Sequence, residues 1–202
     1  MKLKIVDRRI SFTKELNELD RLAFDFSAAL RRRGVRHVFV AGWVSILFGR
    51  SRVSEDVDVL MEEMTRDRFL ALWGGLVANF ECHNSPTPED AHDRYLSAGL
   101  PIRFTRPGDV LPQIELKFAR TTAHRWALDD ALEVRIGRKR VPISPIELQV
   151  AYKLHLGSDK DLGDARYLFR LFREHIKERE LLRALKRMNV PVTLAREVLD
   201  WR

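Results

Sequence analysis

Two aspartates, Asp56 and Asp58, stand one residue apart in the apolar, β-branched run EDVDVLM at residues 55–61. This alternation is typical of a β-strand, so Val57 and Val59 share one face and the two carboxylates share the other. Carboxylates held this close repel each other and stay ionised only beside a positive charge. A divalent cation such as Mg²⁺ (or Mn²⁺), shared with the oxygens of a substrate phosphate, fits such a pair. The alternative is a strand with one solvated face.

A glycine corner precedes the aspartates. The apolar run HVFVAG at residues 37–42 predicts a buried strand, and WVSILFG after it predicts a short helix. A glycine lets the backbone approach an anion, and the start of the next helix offers free N–H groups. We therefore expect Gly42 and Ser45 to line a triphosphate-binding corner opposite Asp56 and Asp58.

A third carboxylate is expected from QIELKFA at residues 113–119. Strand alternation places Glu115 and Lys117 on one face of this segment. Glu115 beside the aspartates would serve as a third metal ligand or as a base, and Lys117 would lie near the phosphates. An exposed charge pair on a sheet face is the alternative, and Asp109, in the predicted turn RPGD, is the reserve candidate for the third carboxylate.

The order of these motifs carries a resemblance. Val40-Ala41-Gly42, a spacer, and then Asp56-Val57-Asp58-Val59 resemble the pattern of the minimal nucleotidyltransferases of the DNA polymerase β type, although Ala41 stands where that superfamily usually has glycine. The spacer, with Gly49, Arg52 and Ser54, is similar to a G-x-x-R-x-[ST] segment of the same proteins. The resemblance implies metal-dependent transfer of a nucleotide from a nucleoside triphosphate to an acceptor hydroxyl. It implies that Asp56 and Asp58 are the catalytic metal ligands and that Arg52 binds substrate.

The segment SPIELQVAYKLHLGSDKDLGDARYL at residues 144–168 resembles abortive-infection toxins of the AbiEii type. The matching residues are Lys153, which precedes a leucine, and the pair Asp161 and Asp164. The resemblance implies a catalytic, phosphate-binding role for Lys153, substrate binding by Asp161 and Asp164, an RNA acceptor such as tRNA, and a cognate antitoxin protein. Structural alternatives remain open: Lys153 would extend its ammonium to solvent beside an apolar face, and Ser158 with Asp161 would form a helix-capping box.

Charge and cysteine content restrict the setting. Lys and Arg number 36 against 29 Asp and Glu, which gives a net charge of +7. Such a surface favours phosphate-bearing partners, and surface ion-pair networks of a heat-adapted protein are the alternative. Cys82 is the only cysteine, so an intrachain disulfide and a cysteine-based zinc site are excluded, and a reducing, cytoplasmic setting is expected. The longest uncharged hydrophobic run, residues 37–49, is too short to span a bilayer.

Hydrophobic periodicity predicts an α+β (mixed α/β) fold, and the resemblance implies a nucleotidyltransferase-like mixed sheet flanked by helices. Residues 1–142 are expected to form the core and residues 143–202 a helical C-terminal subdomain. The expected elements are a helix at 12–33 stopped by Gly34, strands at 55–61, 100–104 and 113–119, a hairpin at 132–142 around Gly137 and Arg138, a helix at 65–79, and helices from Ser144 onward with breaks at 157–158, near 175 and at 189–191.

Two hypotheses follow for the function. The first is a magnesium-dependent nucleotidyltransferase in a toxin–antitoxin pair. The second is a protein of the same fold without transfer activity that binds nucleotide or RNA, or pairs with an antitoxin. Glu115 beside Asp56 and Asp58 at the floor of an open cleft would favour transfer, whereas a site plugged by side chains would favour binding.

Overall fold

The computed structural model describes residues 2–201 and confirms the α+β class. In this part of the chain, nine strands form one mixed sheet in the order β1-β2-β8-β9-β3-β4-β7-β6-β5. The strands are β1 (Lys4–Val6), β2 (Arg9–Ser11), β3 (His37–Val40), β4 (Asp56–Met61), β5 (Glu81–Cys82), β6 (Ile102–Thr105), β7 (Gln113–Phe118), β8 (Leu132–Ile136) and β9 (Lys139–Ile143).

Helices cover the sheet and make up the C-terminal part. They are α1 (Glu18–Arg32), α2 (Gly42–Leu47), α3 (Arg66–Val77), α4 (Pro88–Asp90, continued by a π-helix at Ala91–Leu96), α5 (Thr122–Asp129), α6 (Ile146–Leu156), α7 (Asp159–Phe172, followed by a 3₁₀ turn at Arg173–His175), α8 (Glu178–Arg187) and α9 (Val192–Leu199).

The first long helix begins later than the sequence predicts. Instead of starting at Phe12, α1 starts at Glu18, because Asn17 and Asp20 form a reciprocal capping box that fixes the helix terminus there. Residues before Asn17 contribute β1 and β2, which pair with each other and, through β2, with β8. These strands have three residues each, too few for strand periodicity to be recognised in the sequence.

The expected elements around the site are confirmed. Strand β4 lies in the middle of the sheet, antiparallel to β3 and parallel to β7. The hairpin of β8 and β9 turns at Gly137, whose φ of +58° is a conformation that suits glycine. Strand β9 then runs parallel to β3 and delivers the chain to α6 beside the end of β3.

A single hydrophobic core holds these elements together. The apolar faces of β4 and β7 are fully buried, with Val57, Ile114 and Leu116 each at 0% exposure. The opposite, polar positions of both strands are only partly buried. In residues 2–201, we find no helix of the length and apolar character that a bilayer crossing requires.

Candidate active site

The predicted carboxylates meet on two neighbouring strands. In the parallel register of β4 and β7, Asp58 lies opposite Glu115 and Asp56 lies opposite Gln113. The side-chain amide of Gln113 donates a hydrogen bond of 2.6 Å to Oδ1 of Asp56. Residues directly opposite each other in a ladder have neighbouring side chains, so three carboxylates share one part of the polar sheet face.

The carboxyl group of Asp58 is strongly perturbed. Its pKa is raised to about 6, mainly by burial and also by the charges of Glu115 and Asp56, while the cations of Lys117 and Lys153 act in the opposite direction. A buried carboxylate beside other carboxylates is unfavourable unless a cation joins it. The charge distribution therefore fits a site that receives a positive ion.

Glu115 is held by two cations in addition to its place beside Asp58. Arg103 of β6 lies opposite Glu115 in the sheet and contacts Oε1 through Nε at 3.1 Å. Nζ of Lys117 is 3.8 Å from the other carboxylate oxygen. Within residues 2–201, no three Asp, Glu, His or Cys side chains are grouped closely enough to enclose a metal. The pair of aspartates fits a divalent cation with substrate oxygens, and Glu115 would join it only by turning from Arg103.

The glycine corner has an unusual backbone conformation. Ala41, which directly precedes α2, has φ +59° and ψ −136°, a region that only glycine occupies readily. Its carbonyl accepts a hydrogen bond of 2.5 Å from Nε2 of Gln149 in α6. Oε1 of Gln149 accepts a hydrogen bond of 2.8 Å from the hydroxyl of Ser144. Ala41 therefore has a backbone conformation typical of glycine, which is the residue that the resembled motif usually has at this position.

Gly42 and Ser45 occupy different environments. The guanidinium of Arg52 lies directly against Gly42, and a Cβ added to this glycine would be 2.9 Å from a guanidinium nitrogen. Any larger residue would displace Arg52. Ser45 is fully buried inside α2, and its Oγ has no hydrogen-bond partner among the described residues. The structure therefore places Gly42 beside a cation and leaves Ser45 beneath the surface of the corner.

A buried group of charges connects α6, α7 and the loop before β4. Nζ of Lys153 lies 2.6 Å from Asp161 and 2.9 Å from Asp164. Arg52 contacts Asp164 at 2.5 Å, and Arg50 forms a further ion pair with the same carboxylate. Asp164 is fully buried, and Lys153 is only 3% exposed. The ammonium of Lys153 is therefore enclosed by carboxylates and does not extend to solvent.

The pKa shifts in this group follow from burial and pairing. Burial lowers the pKa of Lys153, although the hydrogen bond to Asp161 opposes this effect. Burial alone would raise the pKa of Asp161, but hydrogen bonds from Lys153 and Ser158 outweigh it and leave the pKa below its usual value. The Ser158 hydroxyl also accepts the N–H of Asp161, so Ser158 caps α7 as predicted. The Asp161 carboxylate accepts from the Ser158 hydroxyl and from Lys153 instead of from the Ser158 backbone N–H, so only this half of the predicted capping box is confirmed. Asp161 serves both the cap and Lys153.

A cavity of about 380 Å³ opens beside the carboxylates. This volume is within the usual range for small-ligand sites. Its walls come from β3, β4, β7, α5 and α6, and most of its surface is apolar. The polar residues that line it include Asp58, Glu115, Lys117, His124, Gln149 and Tyr152.

Sequence reasoning missed several residues of this site. Gln149 and Tyr152 lie in α6, whose apolar run indicates only a buried helix; a glutamine in the middle of that run is the one signal for Gln149. His124 lies in α5, a helix that was not predicted. Arg103 reaches Glu115 only through strand pairing. The reserve carboxylate, Asp109, lies in the loop between β6 and β7 and is not among the residues that line the cavity.

Comparisons with known proteins identify the fold. No family model and no curated protein sequence matches the chain. An antigenic nucleotidyltransferase-like protein from Paracoccidioides brasiliensis superposes with a TM-score of 0.54 at 18% identity, over 88% of this chain and 90% of that one. The antibiotic-resistance factor ANT(2'')-Ia gives 0.49 at 13% identity, over 81% and 87% of the two chains. A tRNA nucleotidyltransferase complexed with a primer tRNA and an ATP analogue gives 0.33 at 12%, over 87% of this chain and 58% of its own length.

Proposed function

The chain has a nucleotidyltransferase-like fold, and we propose that it is a metal-dependent nucleotidyltransferase. The observation that carries the proposal is the position of Asp58 directly beside Glu115, with both residues lining an open cavity that reaches Ala41. A plugged site would have favoured a binding protein. The raised pKa of Asp58 supports the same reading, because paired carboxylates at a cavity floor are suited to a cation that arrives with substrate.

The carboxylates would bind the metal and receive a proton. Asp56 and Asp58 would hold Mg²⁺ or Mn²⁺, which supplies charge stabilisation for the triphosphate and for the leaving group. Glu115 would accept the proton of the acceptor hydroxyl or serve as a third ligand. The acceptor oxygen forms a bond to the α-phosphorus, the bond to the β-phosphate oxygen breaks, and pyrophosphate leaves. The protein contributes mainly placement and electrostatic stabilisation.

Cations around the glycine corner would bind the phosphates. Arg52 lies against Gly42, and Lys117 faces the cavity next to Glu115. We assign Lys153 to the same task. Asp161 and Asp164 would contribute to substrate binding only through the cations with which they pair, and the buried Ser45 would support the corner without contacting substrate. Triphosphate binding at this corner would use residues of both the expected core, 1–142, and the expected helical subdomain, 143–202.

The acceptor and the biological role rest on the resemblance to AbiEii-type toxins. An arginine-rich chain of net charge +7 suits an RNA acceptor, and we propose tRNA or another RNA. A cognate antitoxin would be the protein partner.

A nucleotide- or RNA-binding protein without transfer activity is the second candidate. The observation that favours it is the enclosure of Lys153 by Asp161 and Asp164, which occupies a cation assigned to phosphate. Binding with no transfer under any metal condition would establish this second candidate.

Transfer from each of the four α-³²P-labelled nucleoside triphosphates to total RNA and to the protein itself tests the proposal. Wild type, Asp58→Asn and the exposed control Asp67→Asn would be compared with Mg²⁺, with Mn²⁺ and with a chelator. We expect one labelled product that is retained by Asp67→Asn and lost in Asp58→Asn and with the chelator. Equal labelling by wild type and Asp58→Asn, or none from folded wild type, would overturn the proposal.

A further inference from the structure

Helix α7 holds the loop at residues 48–55, which joins α2 to β4. The hydroxyl of Tyr167 donates a hydrogen bond of 2.7 Å to the carbonyl of Phe48. One helical turn closer to the start of α7, Asp164 pairs with Arg52. Since the loop has no helix or strand of its own and leads directly into Asp56, these contacts fix both the loop and the start of the carboxylate strand.

The loop also contacts α7 through Arg50, whose guanidinium donates a hydrogen bond of 2.9 Å to the carbonyl of Lys160. Gly163 leaves room for this contact, because a Cβ at that position would displace the Arg50 guanidinium. Helix α7 is therefore shaped to receive the loop and its arginines.

Asp164 is the centre of this arrangement. Its carboxylate is fully buried and contacts Arg50, Arg52 and Lys153. With Asp161, two carboxylates pair with these three cations. Asp164 has no exposure through which a substrate would contact it, and its influence must pass through the cations that it holds.

Arg52 connects Asp164 to the corner. One end of its guanidinium contacts Asp164, and the group lies against Gly42. The side chain is only 9% exposed, and the negative charge of Asp58 is near enough to raise the pKa of Arg52 against the larger lowering by burial. Nε of Arg52 also donates a hydrogen bond of 3.4 Å to the Val53 carbonyl. A guanidinium has five N–H donors, so the donors used by neither Asp164 nor Val53 remain for an anion lying between Gly42 and the aspartates.

We propose that Asp164 is a positioning residue that holds Arg52 as a preset phosphate-binding cation at the Gly42 corner and thereby gives the site its preference for a triphosphate over a diphosphate. This inference rests on the proposed function. Long cationic side chains lose conformational freedom when they bind an anion, and a partner that fixes them in advance removes much of this cost. Without Asp164, the guanidinium of Arg52 would be present but not fixed.

Binding of ATP, ADP and adenosine with Mg²⁺, and of the corresponding series for the base preferred in transfer, tests the inference. We compare wild type, Asp164→Asn, and Asp159→Asn as the matched control, because Asp159 is an exposed aspartate in the first turn of the same helix. Asp164→Asn is expected to lose about tenfold or more in triphosphate affinity and most of the preference over the diphosphate, with nucleoside affinity unchanged. Asp159→Asn is expected to match wild type.

Two further variants separate positioning from folding. Arg52→Gln is expected to lose the same preference, and the double variant with Asp164→Asn is expected to lose no more than either single variant, because both act through one cation. Tyr167→Phe removes a contact between α7 and the loop without leaving a buried charge unpaired, and it is expected to weaken the preference in a protein of near wild-type melting temperature. If Asp164→Asn does not fold, Arg52→Gln and Tyr167→Phe test the inference in its place.

The inference is overturned if Asp164→Asn retains the wild-type preference for triphosphate over diphosphate. It is also overturned if Arg52→Gln and Tyr167→Phe both retain this preference. A loss of the same size for adenosine as for ATP also overturns it, since this would indicate general damage to the site. If wild type transfers label but the variants keep the preference, only the inference fails. If wild type binds no nucleotide, the proposed function fails with it.

Discussion

The side-chain amide of Gln149 donates a hydrogen bond of 2.5 Å to the carbonyl of Ala41, across 108 positions of the sequence. This contact fixes the peptide between Ala41 and Gly42, the residues that join strand β3 to helix α2. Because Gln149 is itself fixed by Ser144 at the end of β9, the corner is supported from outside its own loop. The geometry of the corner therefore depends on the start of α6 as much as on the local sequence.

Ala41→Gly is expected to stabilise the protein. Ala41 has φ +59° and ψ −136°, and a residue with a side chain in such a region costs about 1–3 kcal/mol. Glycine removes this strain and costs about 0.5–1 kcal/mol in greater freedom of the unfolded chain, so the free energy of unfolding should rise by about 1 kcal/mol. Urea unfolding measures the change. Ala78→Gly is the control, since Ala78 is exposed with φ −66°, and this variant should be less stable than wild type. A lower free energy of unfolding in Ala41→Gly would show that Ala41 is not strained.

Gln149→Leu is expected to destabilise the protein by about 2 kcal/mol, because it leaves the Ala41 carbonyl and the Ser144 hydroxyl without their buried partner. The loss should be smaller in an Ala41→Gly background, since glycine does not need Gln149 to hold the strained peptide. A double-mutant cycle of unfolding free energies tests this coupling. Additive effects would mean that Gln149 supports the fold without supporting the corner.

Features that depend on local spacing could be predicted from the sequence. The period of two in EDVDVLM placed Asp56 and Asp58 on one face, and Gly137 marked the hairpin. The strand, glycine and helix order located the corner at Gly42. Each of these follows from a short stretch of chain whose neighbours decide its conformation.

Contacts between distant segments could not be predicted. Arg103 holds Glu115 because β6 and β7 pair in one particular register, and no local pattern fixes that register. The sequence leaves phosphate binding and extension to solvent open for Lys153. In the structure, α7 folds back on α6 and brings Asp161 and Asp164 to its ammonium, so the extension to solvent is wrong and phosphate binding stays a prediction. Burial decides the state of such groups, and burial is a property of the packed chain.

His37 is expected to make stability depend on pH. Burial lowers its pKa to about 4, and the ring is hydrogen-bonded to the Ser27 hydroxyl at 2.8 Å and the Val35 carbonyl at 3.0 Å. Since the folded pKa lies below the unfolded value of about 6.5, the contribution of neutral His37 to stability is complete above pH 6.5. It is lost as the pH falls from 6.5 towards 4, by about 3 kcal/mol in total.

Unfolding free energies at pH 7 and pH 5 measure the effect of His37. His37→Gln should remove about 2 kcal/mol of the difference between these two pH values, because glutamine does not titrate. The control is His175→Gln, at an exposed position of the 3₁₀ turn, which should keep the wild-type difference. An unchanged difference in His37→Gln would show that other groups cause the pH dependence.

Ionisation of Asp58 is expected to lower the stability of the protein and to be required for its activity. Its folded pKa of about 6 lies above its usual 3.8, so its favourable contribution to stability is complete only below pH 3.8 and is lost as the pH rises through 6. Asp58→Asn removes this cost and should raise the free energy of unfolding at pH 7.5 by about 3 kcal/mol. The same carboxylate must be ionised to bind a cation, so wild-type transfer should fall about tenfold per pH unit below pH 6.

Thermal unfolding with and without Mg²⁺, at pH 7.5 and at pH 5, measures both the effect of Asp58 on stability and its binding of a cation. A ligand that binds only the folded state raises its stability, so Mg²⁺ should raise the melting temperature of wild type at pH 7.5, raise it less at pH 5, and leave Asp58→Asn unchanged at both. Asp67→Asn, at an exposed position of α3, should respond as wild type does.

An equal shift in Asp58→Asn would mean that Mg²⁺ binds elsewhere, and the carboxylate pair would then lose its assigned role. Asp58→Asn less stable than wild type at pH 7.5 would mean instead that the ionised carboxylate is already compensated by Lys117 and Lys153 before any metal arrives.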